Sequence, residues 1–173
     1  MFVYLDNSAT TRPYAETVEA MNKVLTDDFG NPSSLHTLGI AAENHVKAAR
    51  KSCAEAMGAS ENEFFFTSCG TESDNWALKG SAFRFPWQKK RIITSSIEHH
   101  AILHSCAFLE KMGYDIVYLP VDEKGLVSPD VLKKAINEDT ILVSIMMANN
   151  EIGTIEPIKE LADIAHKCGV LFH

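Results

Sequence analysis

Cysteine is scarce and scattered. The four residues Cys53, Cys69, Cys106 and Cys168 form no CxxC pair, so neither a metal site nor a disulfide framework is expected, and a reducing cytoplasm is the expected setting. No apolar run approaches the roughly 20 residues of a membrane-spanning helix. The short start Met1-Phe2-Val3-Tyr4-Leu5 lacks a basic lead and runs into Asp6, so no secretory leader and no membrane partner are expected. An excess of positive charge is missing too: the formal net charge is -7, which argues against nucleic acid. The one basic cluster, Lys89-Lys90-Arg91, reads as a solvated turn before a strand. There is no GxxxxGK[ST] loop, no GxGxxG fingerprint, no internal repeat and no linker.

What is present is the balance of a soluble globular domain, 46% hydrophobic and 23% charged residues in a chain of 173. Helix and strand patterns alternate. Residues 14–27 have Val18, Met21 and Leu25 at helical spacing. The turn formers Phe29-Gly30-Asn31-Pro32-Ser33-Ser34 follow, and either serine is a candidate cap for a helix from about Leu35 to Met57, stopped by Gly58. Strands are expected at Glu63–Thr67, Arg91–Ser95, Asp115–Leu119, Thr140–Met146 and Val170–Phe172. Helices are expected at Glu72–Phe85, Ala101–Met112, Pro129–Ile136 and Pro157–Cys168. The expectation is that these apolar runs form one largely parallel sheet with helices on both faces, because continuous apolar strands joined by helices bury both faces. Ligands of such sheets sit beyond the carboxyl ends of the strands.

Three strand-end segments carry candidate chemistry. Thr67-Ser68-Cys69-Gly70-Thr71-Glu72-Ser73 leads from a strand into a helix N-terminus, where free N–H groups and the helix dipole suit an anion. The alternative is a plain capped helix, with Thr71 or Ser73 serving its own backbone. Glu98-His99-His100, with His104 one turn on, offers an imidazole but at most two metal ligands, since only His100 and His104 share a helix face. The alternative is a histidine with no ligand. Ala148-Asn149-Asn150-Glu151-Ile152-Gly153 offers two amides to a ligand oxygen, or an Asx turn that satisfies the loop itself. His173, at the end of the last apolar run, is a further place where a ligand contact is expected.

In order and spacing, YLDNSATT, FGNPSSLH, FTSCGTESDN, SSIEHHA, ILVSIMMANNEIG and VLFH together resemble the NifS/IscS cysteine desulfurases along essentially the whole chain. The resemblance implies part of the large domain of a fold-type-I enzyme that uses pyridoxal 5'-phosphate. Gly70 and Thr71 would hold the cofactor phosphate, His99 would lie over its ring and move protons, and Asn150 would bond its ring hydroxyl oxygen. Ala9 and Thr10 would lie near the substrate entrance. No metal is implied. One departure is Ser-Cys-Gly-Thr where the family often has Ser-Gly-Ala-Thr. Gly70 supplies the same N–H with less steric demand, and Cys69 is expected to be a small packing residue.

The implied parent reaction moves sulfur from L-cysteine to an enzyme thiol, leaving L-alanine, for iron–sulfur cluster or other sulfur-transfer pathways. A sulfur-acceptor protein and a homodimer are the implied partners. Residues 1–173 are then read as an N-terminal segment and an incomplete large domain, with the rest of that domain and a small C-terminal domain lying beyond. In relatives the aspartate that pairs with the pyridine nitrogen, the cofactor-anchoring lysine, the catalytic cysteine and the carboxylate-binding arginine come later than the positions seen here. The chain alone is therefore expected to be inactive. Two alternatives stay open: another enzyme of this fold, such as a selenocysteine lyase, kynureninase or aminotransferase, and a shortened, non-catalytic interaction module.

Overall fold

Residues 1–85 and 90–173 are described by the computed structural model; Lys89 of the basic cluster lies outside them. The chain divides into two compact units, Met1–Phe66 and Thr67–His173. In the first, α1 (Ala15–Thr26) has no buried residue. α2 (Thr37–Met57) is capped by the His36 side chain, which accepts from the Gly39 N–H at 3.4 Å, and not by Ser33 or Ser34 as expected. The loop of turn formers passes so close to α2 that a Cβ on Gly30 would lie 2.3 Å from the Leu38 carbonyl oxygen, and one on Gly39 2.2 Å from that of Ser34. Only glycine permits that approach. α2 ends at Gly58 with φ 66°, where the Gly58 and Ala59 N–H groups return to Glu55 and Ala54.

The expected strand Glu63–Thr67 does not form. Ser60 and Glu63 close a reciprocal capping box around a 3-10 turn, Glu61–Glu63. The following apolar residues find partners on α2 instead of in a sheet. Arg50 donates to the Phe64 carbonyl and sits over the Phe66 ring at 5.1 Å, and Phe64 and Phe66 meet edge to face.

The second unit is an α/β layer. α3 (Gly70–Arg84) leads to β1 (Arg91–Ser95), α4 (His100–Lys111), β2 (Asp115–Leu119), α5 (Pro129–Ala135), β3 (Thr140–Ser144), α6 (Ile158–Lys167) and β4 (Leu171–Phe172). Among the described residues there are four strands, the expected ones without Glu63–Thr67, all parallel and ordered β2-β1-β3-β4. Ile92 and Leu142, with Ile141 brought to the same side by a register shift after Arg91, face Leu78, Ala82, Ile102, Cys106 and Leu109 of α3 and α4. The alternate residues Ile93 and Val143 face Leu132, Leu161 and Ala165 of α5 and α6. The period of two along each strand therefore feeds two cores, one on each face. The chain leaves β1 toward one edge through α4 and leaves β3 toward the other through α6. The order thus reverses between β1 and β3.

No helix among the described residues is long and apolar enough to cross a membrane. Leu161 is completely buried in the α5–α6 core. Replacing it with alanine should lower unfolding stability by about 2–5 kcal/mol, measured by urea denaturation of the two proteins at one pH; a loss below about 0.5 kcal/mol would place Leu161 outside a packed core.

Candidate functional site

The loops after β1 and β3 meet where the strand order reverses. The ladder between them ends at Thr94–Ser144. Beyond it, Glu98 Oε1 accepts from the Ser95 hydroxyl at 2.7 Å and from the Met146 N–H at 2.9 Å. In the opposite direction, Asn149 Nδ2 donates to the Ile97 carbonyl at 2.9 Å. Asn149 Oδ1 also accepts from the N–H groups of Glu151 and Ile152. The two asparagines thus divide the roles the sequence left open. Asn149 is the buried Asx turn, and Asn150 is exposed at the tip of the loop. Gly153, at φ 75°, closes that loop by donating to the Asn149 carbonyl.

His99 is the N-cap of α4. Its Nδ1 accepts from the Ala101 N–H at 3.1 Å, which leaves the proton of a neutral ring on Nε2. The side chain is exposed, as expected for a ligand contact. It lines two cavities. The larger, about 410 Å³, is bounded by Asp74, Glu98, Ser144, Met146 and His173 among others. The smaller, about 270 Å³, is bounded by Ile97, Glu98, His100, Asn149 and Asn150. His99 and Asn150 therefore share one wall. His173 Nδ1 lies 2.9 Å from the Ser144 hydroxyl, and its Nε2 is 3.8 Å from Asp74. The His100 and His104 rings meet at a tilt of 59°, with 5.6 Å between centroids. Among the described residues no three His, Cys, Asp or Glu side chains are placed to hold a metal.

Gly70 and Thr71 open α3. The N-cap, Cys69, makes no side-chain capping bond, and the Glu72 and Ser73 N–H groups already return to the Cys69 carbonyl. Glu72 reaches back to the Ser68 N–H and hydroxyl, which holds its carboxyl below the usual range. Ser73 pairs with Thr67. Of the two residues that could have served their own backbone, Ser73 does so and Thr71 does not. A Cβ built on Gly70 meets nothing within 4 Å. Gly70 and Thr71 are not among the residues bounding these two cavities; the helix reaches the larger one through Asp74, one turn on. Ala9 and Thr10 are exposed on a turn of the N-terminal unit, both N–H groups directed to the Asp6 carbonyl.

Two features escaped the sequence. Cys69 is exposed instead of packed. The Glu72 N–H and the Ser68 hydroxyl push its thiol below the ordinary value. In the sequence Glu98 is marked only by its neighbour His99. It is 7% exposed, and burial raises its carboxyl above the usual value, against the lowering effect of the Ser95 and Met146 bonds. A lone acid just after a buried strand was the available signal, but its partner lies 48 residues away.

This doubly wound arrangement, with a crevice at the point of strand reversal, is the large-domain architecture of fold-type-I pyridoxal-phosphate enzymes. The chain belongs to the aminotransferase class-V family, whose profile matches residues 3–173. It is 58% identical over 171 residues to the cysteine desulfurase IscS of Methanosarcina thermophila and 55% identical to that of Dictyoglomus turgidum, each match covering 99% of this chain. It spans 42% and 43% of the length of those curated relatives. Among solved structures, a NifS-like protein superposes with a TM-score of 0.97 at 45% identity, over all of this chain and 48% of that one. SspA in complex with cysteine superposes at 0.94 and 39% identity, over 98% of this chain and 49% of that one. Class-V aminotransferases and cysteine desulfurases are pyridoxal-phosphate enzymes.

Two measurements probe these environments. Cys106 is fully buried, and burial, with Glu110 and Glu98 adding to it, pushes its thiol up to about 12. Iodoacetamide at pH 7 should label Cys69 ahead of the exposed Cys168, and Cys106 only after denaturation; mass spectrometry of the native protein reads the order. Glu98 holds its proton more tightly folded than unfolded, so its contribution to stability is fully present below 4.5 and is lost as pH rises through the folded value. The stability gap between Glu98→Gln and the wild type should therefore shift in favour of the variant as pH rises from 4 to 7, as measured by denaturation at each pH. A gap constant with pH would contradict a raised carboxyl.

Proposed function

We propose that residues 67–173 hold pyridoxal 5'-phosphate as part of a cysteine desulfurase. The observation that carries this reading is an open helix N-terminus, Gly70 and Thr71, on the helix that also walls a cavity at the strand reversal. Among the described residues the Gly70 N–H and the Thr71 hydroxyl have no partner, and the Thr71 N–H has only the Cys69 thiol, a weak acceptor; this donor set suits a phosphate dianion. His99, held through Nδ1 by the Ala101 N–H, has an aromatic face for ring stacking and an Nε2 able to exchange a proton. Asn150 offers an amide to a ring hydroxyl oxygen. The cofactor would supply an electron sink that stabilises negative charge next to an amine-bearing carbon.

For the whole protein, the reaction is cleavage of the C–S bond of L-cysteine, with the sulfur passing to an enzyme thiol as a persulfide and L-alanine leaving. Support comes from the names of the relatives and from the cysteine bound in SspA. A sulfur-acceptor protein would take the persulfide sulfur, in the cytoplasm. The Ala9-Thr10 turn would border the substrate entrance. A homodimer is supported by exposed aromatics on α3 and α4: Trp76 at 58%, Phe83 at 55% and Phe108 at 45%, the last beneath Lys79.

The full 173-residue polypeptide should take up pyridoxal phosphate weakly and lose it on dialysis, as followed by visible absorbance, and should release no sulfide from cysteine. Thr71→Ala should weaken uptake roughly tenfold, the loss of one or two hydrogen bonds to a charged group. Uptake unchanged in Thr71→Ala would refute the phosphate assignment, and cysteine turnover by the polypeptide would refute the expectation that residues 1–173 alone are inactive.

A further inference from the structure

Past Thr94 and Ser144, main-chain pairing no longer joins β1 to β3, yet both candidate ligand residues lie beyond that point, His99 on one loop and Asn150 on the other. The separation of those loops sets the width of the crevice. Two side-chain bonds fix it, one from each loop to the other's backbone: Glu98 Oε1 to the Met146 N–H, and Asn149 Nδ2 to the Ile97 carbonyl. Asn149 spends its other atom on its own turn. Glu98 ties β1's own end as well, through Ser95. It is adjacent in sequence to His99, buried, and in the wall of both cavities.

We propose that Glu98 is a positioning residue for the cofactor site: its carboxyl fastens the His99 loop to the Met146–Asn150 loop and so sets the gap in which a planar ring lies. The inference rests on the pyridoxal-phosphate reading. What the position demands is an acceptor oxygen at the right reach, since two donors converge on one oxygen atom; a negative charge is not required, and burial without a cationic partner disfavours it. A glutamine reaches equally far with an acceptor oxygen. An aspartate keeps the carboxyl but is one methylene short, and an alanine leaves the Met146 N–H and the Ser95 hydroxyl without their partner.

The test uses the full chain with two readouts: exchange of the Met146 amide without cofactor, followed by NMR, and uptake of pyridoxal phosphate by visible absorbance. Glu98→Ala should lose protection at Met146 and weaken uptake, each by roughly tenfold or more, the scale of one lost buried hydrogen bond. Glu98→Asp should do the same, and carries the test if the alanine variant does not fold. Glu98→Gln should retain both properties to within about threefold. Thr71→Ala should weaken uptake and leave Met146 protected. The proposal is overturned if Glu98→Asp matches the wild type in both readouts, or if Glu98→Gln behaves like alanine. It is also overturned if Met146 protection is lost while uptake is unchanged. Failure of the underlying reading looks different: the wild type then takes up no pyridoxal phosphate, or takes it up independently of Thr71, while Met146 exchange still follows the Glu98 series.

Discussion

Parallel pairing of β1 with β3 is the constraint on which the rest of the second unit depends. These two strands are neighbours in the sheet but not in sequence; β2 is formed between them and placed on the far side of β1. Because the chain departs from them in opposite directions, no crossover segment closes over their carboxyl ends, and a crevice remains there. The register of the pair then decides which side chains reach the crevice. A shift of one residue would turn Ile93 and Val143 away from α5 and α6, exchange the two cores, and reorient every residue at the strand ends.

The crevice is lined by residues whose own hydrogen bonds hold them in place, leaving particular atoms free. His99 uses Nδ1 on its helix and keeps Nε2; Asn149 is consumed by the loop and Asn150 is not. At α3, Glu72 and Ser73 satisfy the surrounding backbone and hydroxyls, while among the described residues the Gly70 N–H and the Thr71 hydroxyl stay open. This division between supporting and free groups is what preorganisation means in hydrogen-bond terms: some donors remain available while their neighbours hold the backbone in place. It also explains how two adjacent residues of one type, as in Asn149-Asn150, come to have different chemistry.

Much of this was determined by the sequence alone. The six helices were legible from period and caps: the helix expected over 101–112 is found at His100–Lys111, and that over 129–136 at Pro129–Ala135. Strands with continuous branched apolar residues, such as Thr140–Ser144, were legible for the same local reason. Short ordered motifs were sufficient for the family; three of them, SSIEHHA, ILVSIMMANNEIG and VLFH, lie at the ends of β1, β3 and β4. Other features were decided only by tertiary structure, because they depend on partners distant in the chain. Phe64 and Phe66 have strand composition, but Arg50 on α2 takes the backbone carbonyl and ring that a neighbouring strand would have used. The helix after FGNPSS has its cap at His36 and not at a serine, because close packing of Gly30 and Gly39 sets where the backbone turns. Cys69 is exposed because the chain leaves it at the mouth of α3, a fact its small size could not reveal. Glu98 reads as an ordinary polar residue until the fold brings the Met146 amide, 48 residues on, within 2.9 Å of it.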